Sequence, residues 1–586
     1  MGGMQAQDTT TLRAVVAELA PLLLPARFEK AQQPRPQALQ LGFRTSGSRL
    51  WLELSWQADD ARSHAIPPPP RQGEGSTLAR QLQHGLSGLA LVSLEQPPWE
   101  RVLRFGFAPR PGEPLQRQLL IELMGRHSNL FLLDEQQLVI AAARQVRGHQ
   151  SRWRPIGTGD PYSPPPALDG AIPDLQEPLA PWRQRLSLRA EPIGRALQQS
   201  YRGLSPSLRD QLLETAGLGH NPALTELNDD DWSRLHVSWR AWLASLEQPP
   251  APPLPWRDGY RCWRLPSETT PSEPPAAATP LALNLALAER YERHRRQREL
   301  HQRWHRLSQT LERLIERERQ ELERQRQLLS RADDEALLQR QADLLLCRED
   351  VNSLGHRQLQ LHDPAGGPPL TVDLDPRLTL VAQAQKLYQR ARRWRRSVTA
   401  VGERLDHHHQ RLQLLETSQL QQQLADPDDP EVLAALEDDL RPFTDPDGGD
   451  RRRDRSPSGE PRPLALTSPG GLRLLVGRNH RQNDWISFRQ ARRGDLWFHA
   501  QEQPGSHVVL KGSEGTPEEA DLAAAAHLAA HFSRSRGSSH VPVVMVPVEQ
   551  LQRIPGAPAG LVRHGGGQVL WGEPDRARPL LPTLAP

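Results

Sequence analysis

Two long stretches of this chain repeat their apolar residues every three or four positions, and that spacing constrains the fold more than any other feature. In the first, Leu300, Trp304, Leu307, Leu311 and Leu314 recur at spacings of 4, 3, 4 and 3. In the second, Ala391, Trp394, Val398, Val401, Leu405, His408, Leu412 and Leu415 hold spacings of 3 and 4 throughout. Each pattern draws a narrow apolar seam along a helix, the pattern of a coiled coil. Between the two, Pro364, Gly366, Gly367, Pro368 and Pro369 would interrupt any helix. The simplest arrangement is an antiparallel coiled coil over 281–440 with a small module at its tip, about 333–377. Each arm would reach roughly 50–60 Å at about 1.5 Å per residue. A content of 37% hydrophobic and 24% charged residues suits long exposed helices better than one compact globule.

The remaining chain divides on either side of this arm, and the whole reads as a multidomain α+β protein. Residues 1–170 mix strands and helices. Gly47–Trp56 and Arg101–Phe107 alternate like half-buried strands, and Leu130–Leu133 with Leu138–Ala141 form a hairpin around Asp134–Gln137. The Pro-rich stretch Pro155–Pro166 closes the block. Residues 175–247 are helical. There Gly217-Leu218-Gly219 follows the helix Leu208–Ala216, as at the centre of a helix-hairpin-helix domain whose backbone N–H groups face a phosphate. Ordinary capping of a helix by glycine accounts for the same residues. Residues 248–280 read as a Pro-rich linker and 441–462 as a disordered one. A final α/β domain spans 463–575.

The cations are 70 Arg and three Lys, Lys30, Lys386 and Lys511, against a net charge of only +3. Arg suits RNA, because its planar donor fork pairs with phosphate and stacks on bases. A GC-rich genome, consistent with the many Ala, Pro and Gly residues, accounts for the same bias. Cys262 and Cys347 stand too far apart for a zinc motif or a disulfide framework. No apolar run is long enough to span a membrane, and the polar start is no signal peptide, so a reducing, cytoplasmic setting is expected. His407, His408 and His409 are consecutive on a helix and point about 100° apart, so they do not form a metal site.

Gly477–His507 is the segment richest in chemistry. Arg478, Arg481, Arg489, Arg492 and Arg493 are interleaved with Trp485, Phe488, Trp497 and Phe498. Cations beside aromatics can hold phosphates and stack on unpaired bases. Trp497, on an apolar strand, reads as core. Pro504-Gly505-Ser506-His507 is a turn into the strand Val508–Leu510, and Thr516-Pro517-Glu518-Glu519 reads as a capping box opening an Ala-rich helix over Glu518–Arg536.

Short motifs spread over most of the chain resemble the NFACT family of ribosome-associated quality-control factors, some of whose members are labelled fibronectin-binding proteins. G-R-N-x-R-Q-N-D, D-x-W-x-H and P-G-S-H, within Gly477–His507, are similar to the family's RNA-binding C-terminal domain. Glu122-Leu123-Met124-Gly125-Arg126-His127-Ser128-Asn129 resembles a motif of its N-terminal domain, and Gly203-Leu204-Ser205-Pro206 the entry to its helix-hairpin-helix domain. Leu374-Asp375-Pro376 with Ala384-Gln385-Lys386-Leu387-Tyr388 resembles the start of its second coiled-coil helix. Two positions depart from the family. Glu100-Arg101 stands where an Asp-Arg pair is associated with tRNA use, which keeps the charge and adds a methylene. Gln383 stands where Asn is usual.

The resemblance implies a factor that binds the large ribosomal subunit, through its rRNA and proteins, while the subunit carries a stalled peptidyl-tRNA. It would recruit a tRNA, tRNA-Ala, for template-free C-terminal tailing. The tRNA-binding residues would be Glu100, Arg101, Glu122, Leu123, Met124, Arg126, His127 and Asn129. In the C-terminal domain, RNA would meet Arg478, Asn479, Arg481, Gln482, Asn483, Asp484, Arg493, His499, Ser506 and His507. The arm would touch rRNA through Arg390, Arg392, Arg393, Arg395 and Arg396. No catalytic residue, metal, cofactor, membrane or DNA is implied, and the factor would act as a monomer. The alternatives are a cytosolic RNA-binding protein without tailing activity and a fibronectin-binding surface adhesin, the latter opposed by the absence of a signal peptide. The N-terminal domain also resembles that of the formamidopyrimidine DNA glycosylases. The start Met1-Gly2-Gly3-Met4 lacks their N-terminal proline nucleophile.

Overall fold

A computed structural model of the chain describes residues 5–73, 75–151, 154–166, 169–268, 280–329, 334–347, 357–362, 366, 369–445, 460–555 and 558–581. The chain separates into two compact units, Met1–Arg296 and Gln297–Pro586.

In the first unit, nine strands form one antiparallel sheet in the order β4-β3-β2-β1-β5-β6-β7-β8-β9. They are β1 (Ala26–Arg35), β2 (Ala38–Arg44), β3 (Arg49–Ser55), β4 (Arg62–Ile66), β5 (Ala90–Glu95), β6 (Val102–Ala108), β7 (Arg117–Glu122), β8 (Asn129–Leu133) and β9 (Val139–Ala142). Helices α1 (Thr9–Leu23) and α2 (Thr77–Leu86) share a core with the sheet, with Leu12, Val15, Leu82 and Leu86 packed among Phe43, Leu52 and Phe105. β3 and β6 are the two strands read as alternating, yet both are buried on either face. In β3 the reason is electrostatic. Glu53 is buried and pairs with Arg62 at 2.7 Å and with Arg35. Burial alone would raise its pKa, but the two guanidinium groups hold it down at about 2. The hairpin of β8 and β9 forms around Asp134, with Gln137 in the left-handed region at φ 63°. The Pro-rich stretch after it packs back on the sheet. Val146 bridges to Ile156 and Leu138 to Pro161.

Helices α3 (Leu179–Ser187), α4 (Ile193–Ser200), α5 (Pro206–Thr215) and α6 (Asp229–Ser245) enclose Trp182, Trp232, Trp239 and Trp242. Gly217, at φ +78°, ends α5, and Leu218 N–H donates to the Leu213 carbonyl at 2.7 Å. That is the glycine cap of a helix. The next full helix begins only at Asp229, after a turn at Leu224–Glu226. Part of the stretch expected to be a linker is folded. β10 (Leu254–Trp256) and β11 (Gly259–Arg261) pair, and Tyr260 within β11 and Trp263 just after it are each 1% exposed. Large aromatics among the prolines give that stretch enough apolar surface to bury. Residues 269–279 of that linker lie outside the described residues. Helix α7 (Ala282–Leu329) starts in this unit, where the Glu18 carboxylate accepts from the N–H groups of Leu283 and Asn284.

In the second unit the chain runs from α7 through α8 (Asp334–Leu346), β12 (Gln358–Leu361), β13 (Leu370–Asp373) and α9 (Leu380–Leu424) to α10 (Pro430–Thr444). α7 and α9 lie antiparallel, because their contacts run in opposite senses. Gln422 donates to the Trp304 carbonyl, Glu318 pairs with His408 and Arg411, and Leu322 meets Val401 and Leu405. Leu433, Leu436 and Leu440 of α10 add a third layer on Leu307, Leu311 and Leu415. α8 and the β12–β13 hairpin form a small core of their own with Ala342, Leu345, Leu361, Val372 and Ala384. Gln383 donates to the Asp375 carbonyl at 2.7 Å. Of the expected linker at 441–462, residues 441–444 are the last turn of α10, and 446–459 lie outside the described residues.

The C-terminal part of this unit comprises β14 (Leu464–Thr467), β15 (Arg473–Val476), α11 (His480–Trp485), β16 (Leu496–Ala500), β17 (Val508–Leu510), α12 (Glu519–His531), β18 (Val541–Pro547), β19 (Leu551–Arg553), β20 (Val562–His564) and β21 (Gln568–Gly572). Six strands make an antiparallel sheet in the order β14-β15-β17-β16-β18-β21. The alanines of α12 let it approach the sheet closely. A Cβ at Gly572 would lie 2.4 Å from the Ala526 carbonyl oxygen, so only glycine fits there. The cap of α12 differs from the expected one. Glu518, not Thr516, is the N-cap, and its N–H donates to Asp521 at 3.0 Å.

Candidate nucleic-acid interfaces

In the first unit, the turn between β5 and β6 carries Trp99, Glu100 and Arg101. Trp99 adopts φ 60°, and the Glu100 N–H closes the turn on the Pro97 carbonyl at 3.1 Å. Gly203, at φ +78°, makes room for the turn, since a Cβ there would lie 2.9 Å from the Trp99 ring. Ser205 caps α5 and donates to Asp8 at 2.9 Å. These two contacts explain the Gly-Leu-Ser-Pro sequence in local terms. Trp99 rests edge-on against Trp242, beside a cleft of about 350 Å³ lined by Arg13, Pro97 and Pro98.

The Arg101 carbonyl accepts from Leu123 N–H at 2.8 Å, which sets Glu100-Arg101 beside the second motif. The Arg101 guanidinium makes no hydrogen bond or ion pair among the described residues. Partial burial raises the Glu100 carboxyl above its ordinary range, against the opposing pull of Arg202 and Arg101. Met124 is half-buried, and Arg126 and His127 project from a one-turn helix, both exposed.

Three residues expected at a tRNA surface are instead inside. Glu122 is 0% exposed and Leu123 is 0% exposed, and Asn129 is buried. Glu122 accepts two N–H bonds from Arg154, at 2.7 and 2.6 Å, and the Tyr162 hydroxyl at 2.8 Å. Asn129 ties β8 to the Arg144 backbone through two bonds of 2.9 Å, and its side-chain oxygen also accepts from Leu130 N–H at 2.9 Å. The Arg144 side chain then donates to the Arg126 carbonyl at 2.7 Å. Arg144, Arg154 and Tyr162 therefore support the exposed turn. No local sequence signal marks them, because their partners lie 15–40 residues away.

On α9 all five arginines of the basic tract are exposed. Arg395 pairs with Glu335 at 2.7 Å. Arg390, Arg392, Arg393 and Arg396 have no side-chain partner among the described residues, so their charge is available to an external anion.

In the C-terminal domain most polar residues of the motif hold the loop together. Asn479 caps α11 by accepting from Gln482 N–H at 2.8 Å, and Gln482 accepts from Arg478 N–H at 2.9 Å. Buried Asn483 accepts from His507 N–H at 3.2 Å, and Asp484 pairs with Arg553 at 2.8 Å. Ser506 and His507 are buried, and His507 meets the Ser487 hydroxyl at 2.8 Å. His499 stacks on Trp497 with centroids 5.5 Å apart. Burial pushes His499 down to about 4 and His507 well below the ordinary histidine range, so both are neutral near pH 7. Trp497 is 1% exposed, in the core where its apolar strand placed it. The groups that face outward are cations. The Arg493 side chain is 95% exposed, Arg481, Arg489 and Arg492 are exposed, and Arg478 is half-buried. His480, at the variable position of the first motif, binds the domain to the helices. Its Nε2 lies 2.8 Å from Ser418 Oγ and 2.9 Å from the Leu414 carbonyl, and its N–H donates to Asp439 at 2.7 Å. Among the described residues no group of three His, Cys, Asp or Glu is placed to hold a metal, and no helix is long and apolar enough to cross a membrane.

Compared with known families, residues 8–445 match NFACT N-terminal and middle domains, and residues 464–564 match the NFACT protein RNA binding domain. The protein named "Rqc2 homolog RqcH" from Bacillus subtilis is 25% identical over 572 residues, covering 95% of this chain and 96% of its own length. Its namesake from Streptococcus pneumoniae is 26% identical over 580 residues, covering 97% and 98%. Among solved structures, the C-terminal part of the fibronectin/fibrinogen-binding protein from Streptococcus suis is 23% identical, covers 48% of this chain and 98% of its own, and has a TM-score of 0.38.

Proposed function

Because the chain belongs to the NFACT family, matched over residues 8–445 and 464–564, we propose that it binds the large ribosomal subunit carrying a stalled peptidyl-tRNA and recruits tRNA-Ala for template-free tailing of the nascent chain. The coarser statement, a quality-control factor of the RqcH type with an RNA-binding domain, follows from the family and the relatives. The finer one is supported by the N-terminal site. There a hydrogen-bonded frame sets half-buried Arg101 beside the turn that carries exposed Arg126 and His127.

Arg101 pairs with a tRNA phosphate or base, and Glu100 orients it or accepts from a base amino group. The unpaired arginines of α9 neutralise rRNA phosphates and set the protein on the subunit. The peptide bonds are made by the ribosome's own peptidyl-transferase centre. This chain contributes position and no catalytic group, and it works as a monomer in the cytoplasm. The test is to purify the tagged protein from its own cells and sequence the RNA that comes with it. The expected result is large-subunit rRNA with tRNA-Ala enriched over other tRNAs. Recovery of fibronectin binding without RNA overturns the reading in favour of an adhesin, and rRNA without any enriched tRNA removes the tailing step.

A further inference from the structure

The C-terminal sheet carries one exposed aromatic that no motif explains. The RNA-binding family match ends at residue 564, and β21 lies beyond it. Among the described residues β21 is an edge strand, paired with β18 alone in the register Val544↔Val569 and Pro542↔Trp571. In turn β18 pairs with β16 as Trp497↔Val546 and His499↔Val544. Directly paired residues share a face, and side chains two apart share it too. Trp497, His499, Pro542, Val569 and Trp571 therefore lie on the same side, opposite α12. At the Trp497 end this face is covered by Trp485, Phe488 and Val562. At the other end it is open, with Trp571 64% exposed and Val569 45% exposed.

The segment that enters β18 beside Trp571 is Ser533-Arg534-Ser535-Arg536-Gly537-Ser538-Ser539-His540. Arg534 pairs with Glu416 at 2.8 Å. The side chains of Arg536 and His540 are exposed and make no hydrogen bond or ion pair among the described residues. We propose that Trp571 is a stacking platform for an unpaired base of single-stranded RNA, with the adjoining phosphates on the Arg536–His540 loop. This rests on the RNA-binding reading of the domain. An indole and a nucleobase are of similar size, every base has a face to stack, and a neighbouring cation adds to the attraction. A protein partner fits less well. Two apolar side chains beside a polar, cationic loop offer far less than the roughly 800 Å² per partner of a stable interface.

The test is to irradiate the full chain with a single-stranded oligoribonucleotide substituted with 5-iodouracil and to map the crosslinks after trypsin. Cleavage after Arg563 and Arg576 isolates Trp571 in the peptide 564–576. A crosslink on that peptide is expected in the native chain and in Trp571→Phe. It is expected to be lost in Trp571→Val, which keeps a strand-forming side chain without a ring, while crosslinks elsewhere persist. A native chain that crosslinks only on other peptides overturns the proposal and leaves the domain's RNA binding standing. The absence of any crosslink overturns both. A crosslink retained in Trp571→Val, or a fall in self-association with the crosslink unchanged, assigns the surface elsewhere. If Trp571→Val lowers the melting temperature, the native map and Trp571→Phe decide between these outcomes.

Discussion

Replacing Arg154 with methionine isolates what supports the N-terminal site. The Glu122 side chain is 1% exposed, and that of Arg154 is 17% exposed. Removing the guanidinium leaves a buried carboxylate that, among the described residues, keeps only the Tyr162 hydroxyl, a group whose own pKa is raised by burial and by Glu122 and which therefore still donates. Breaking a buried ion pair from one side costs about 3–5 kcal/mol, because the remaining charge loses its compensation. For a unit of this size that corresponds to a fall in Tm of roughly 5–10 °C. The assay is calorimetric unfolding of the full chain, following the transition of the first unit in R154M, E122Q and the double variant. E122Q/R154M removes both charges, so its loss of stability should be smaller than the sum of the two single losses by at least about 1 kcal/mol. R154M within about 1 kcal/mol of the native chain, or a double variant that is merely additive, overturns the assignment of Glu122 and Arg154 as a buried ion pair. Either result would mean that Glu122 is hydrated.

E100A/R101A is expected to keep large-subunit binding and thermal stability while losing the bound tRNA. Unchanged tRNA recovery from a folded double variant would show that the turn does not hold it. Reversing Arg390, Arg392 and Arg393 to Glu should weaken co-sedimentation with the large subunit at moderate salt and flatten its salt dependence, by about 0.9 in slope for each phosphate no longer neutralised. Normal co-sedimentation with helicity retained would make the tract a solvated face. His64, 1% exposed and stacked on Tyr291, is pushed by burial and by Arg62 down to about 4. Its folded pKa lies below the unfolded value, so its contribution is complete above about pH 6.5 and is lost as pH falls towards 4. The loss in the first unit is about 2 kcal/mol at pH 5, read from urea midpoints at pH 7 and 5, and a slope that survives in H64F would place the titration elsewhere. A fragment beginning at 463 should be soluble and unfold cooperatively on its two apolar clusters, but below the full chain's Tm, because His480 and Arg534 lose Ser418, Leu414 and Glu416. A molten fragment would show that the helices are needed to fold the sheet.

The long helices are legible because a seam at alternating spacings of 3 and 4 is a direct geometric consequence of helix pitch. His408 illustrates how far that goes. Spacing puts this polar residue on the seam, and its partner Glu318 lies on the facing helix, where spacing alone cannot find it. The alternation of β3 fails as a guide to burial because its polar face is filled by Glu53, Arg35 and Arg62 rather than by water. A two-letter apolar and polar pattern treats a buried ion pair as surface. The Pro-rich stretches mislead for a related reason. Tyr260, Trp263 and Tyr162 each anchor chain that looks like linker by its prolines, and one buried aromatic outweighs several poor secondary-structure formers.

The same distinction runs through the sites. Residues that make a motif recognisable need fixed positions, and a fixed position in a loop is obtained by hydrogen bonding the side chain inward. Asn479, Asn483, His507, Glu122 and Asn129 all do this, which is why they are buried. A group that meets a phosphate needs the reverse, a charge not yet neutralised and a side chain with room to move. Arg101, Arg126, Arg393 and Arg493 satisfy that condition or come close to it, with Arg493 only 4.0 Å from Glu549 yet almost fully exposed. Arginine on a surface carries little information in a chain with 70 of them. What sets these apart from the many paired arginines is the absence of a strong local carboxylate among the described residues, and that is a property of three-dimensional neighbours. Where the resemblance to the family sets Glu100 against an Asp, the difference is one of reach. With Arg101 beside it unpaired and its own carboxyl half-buried, one added methylene moves the acceptor without removing it.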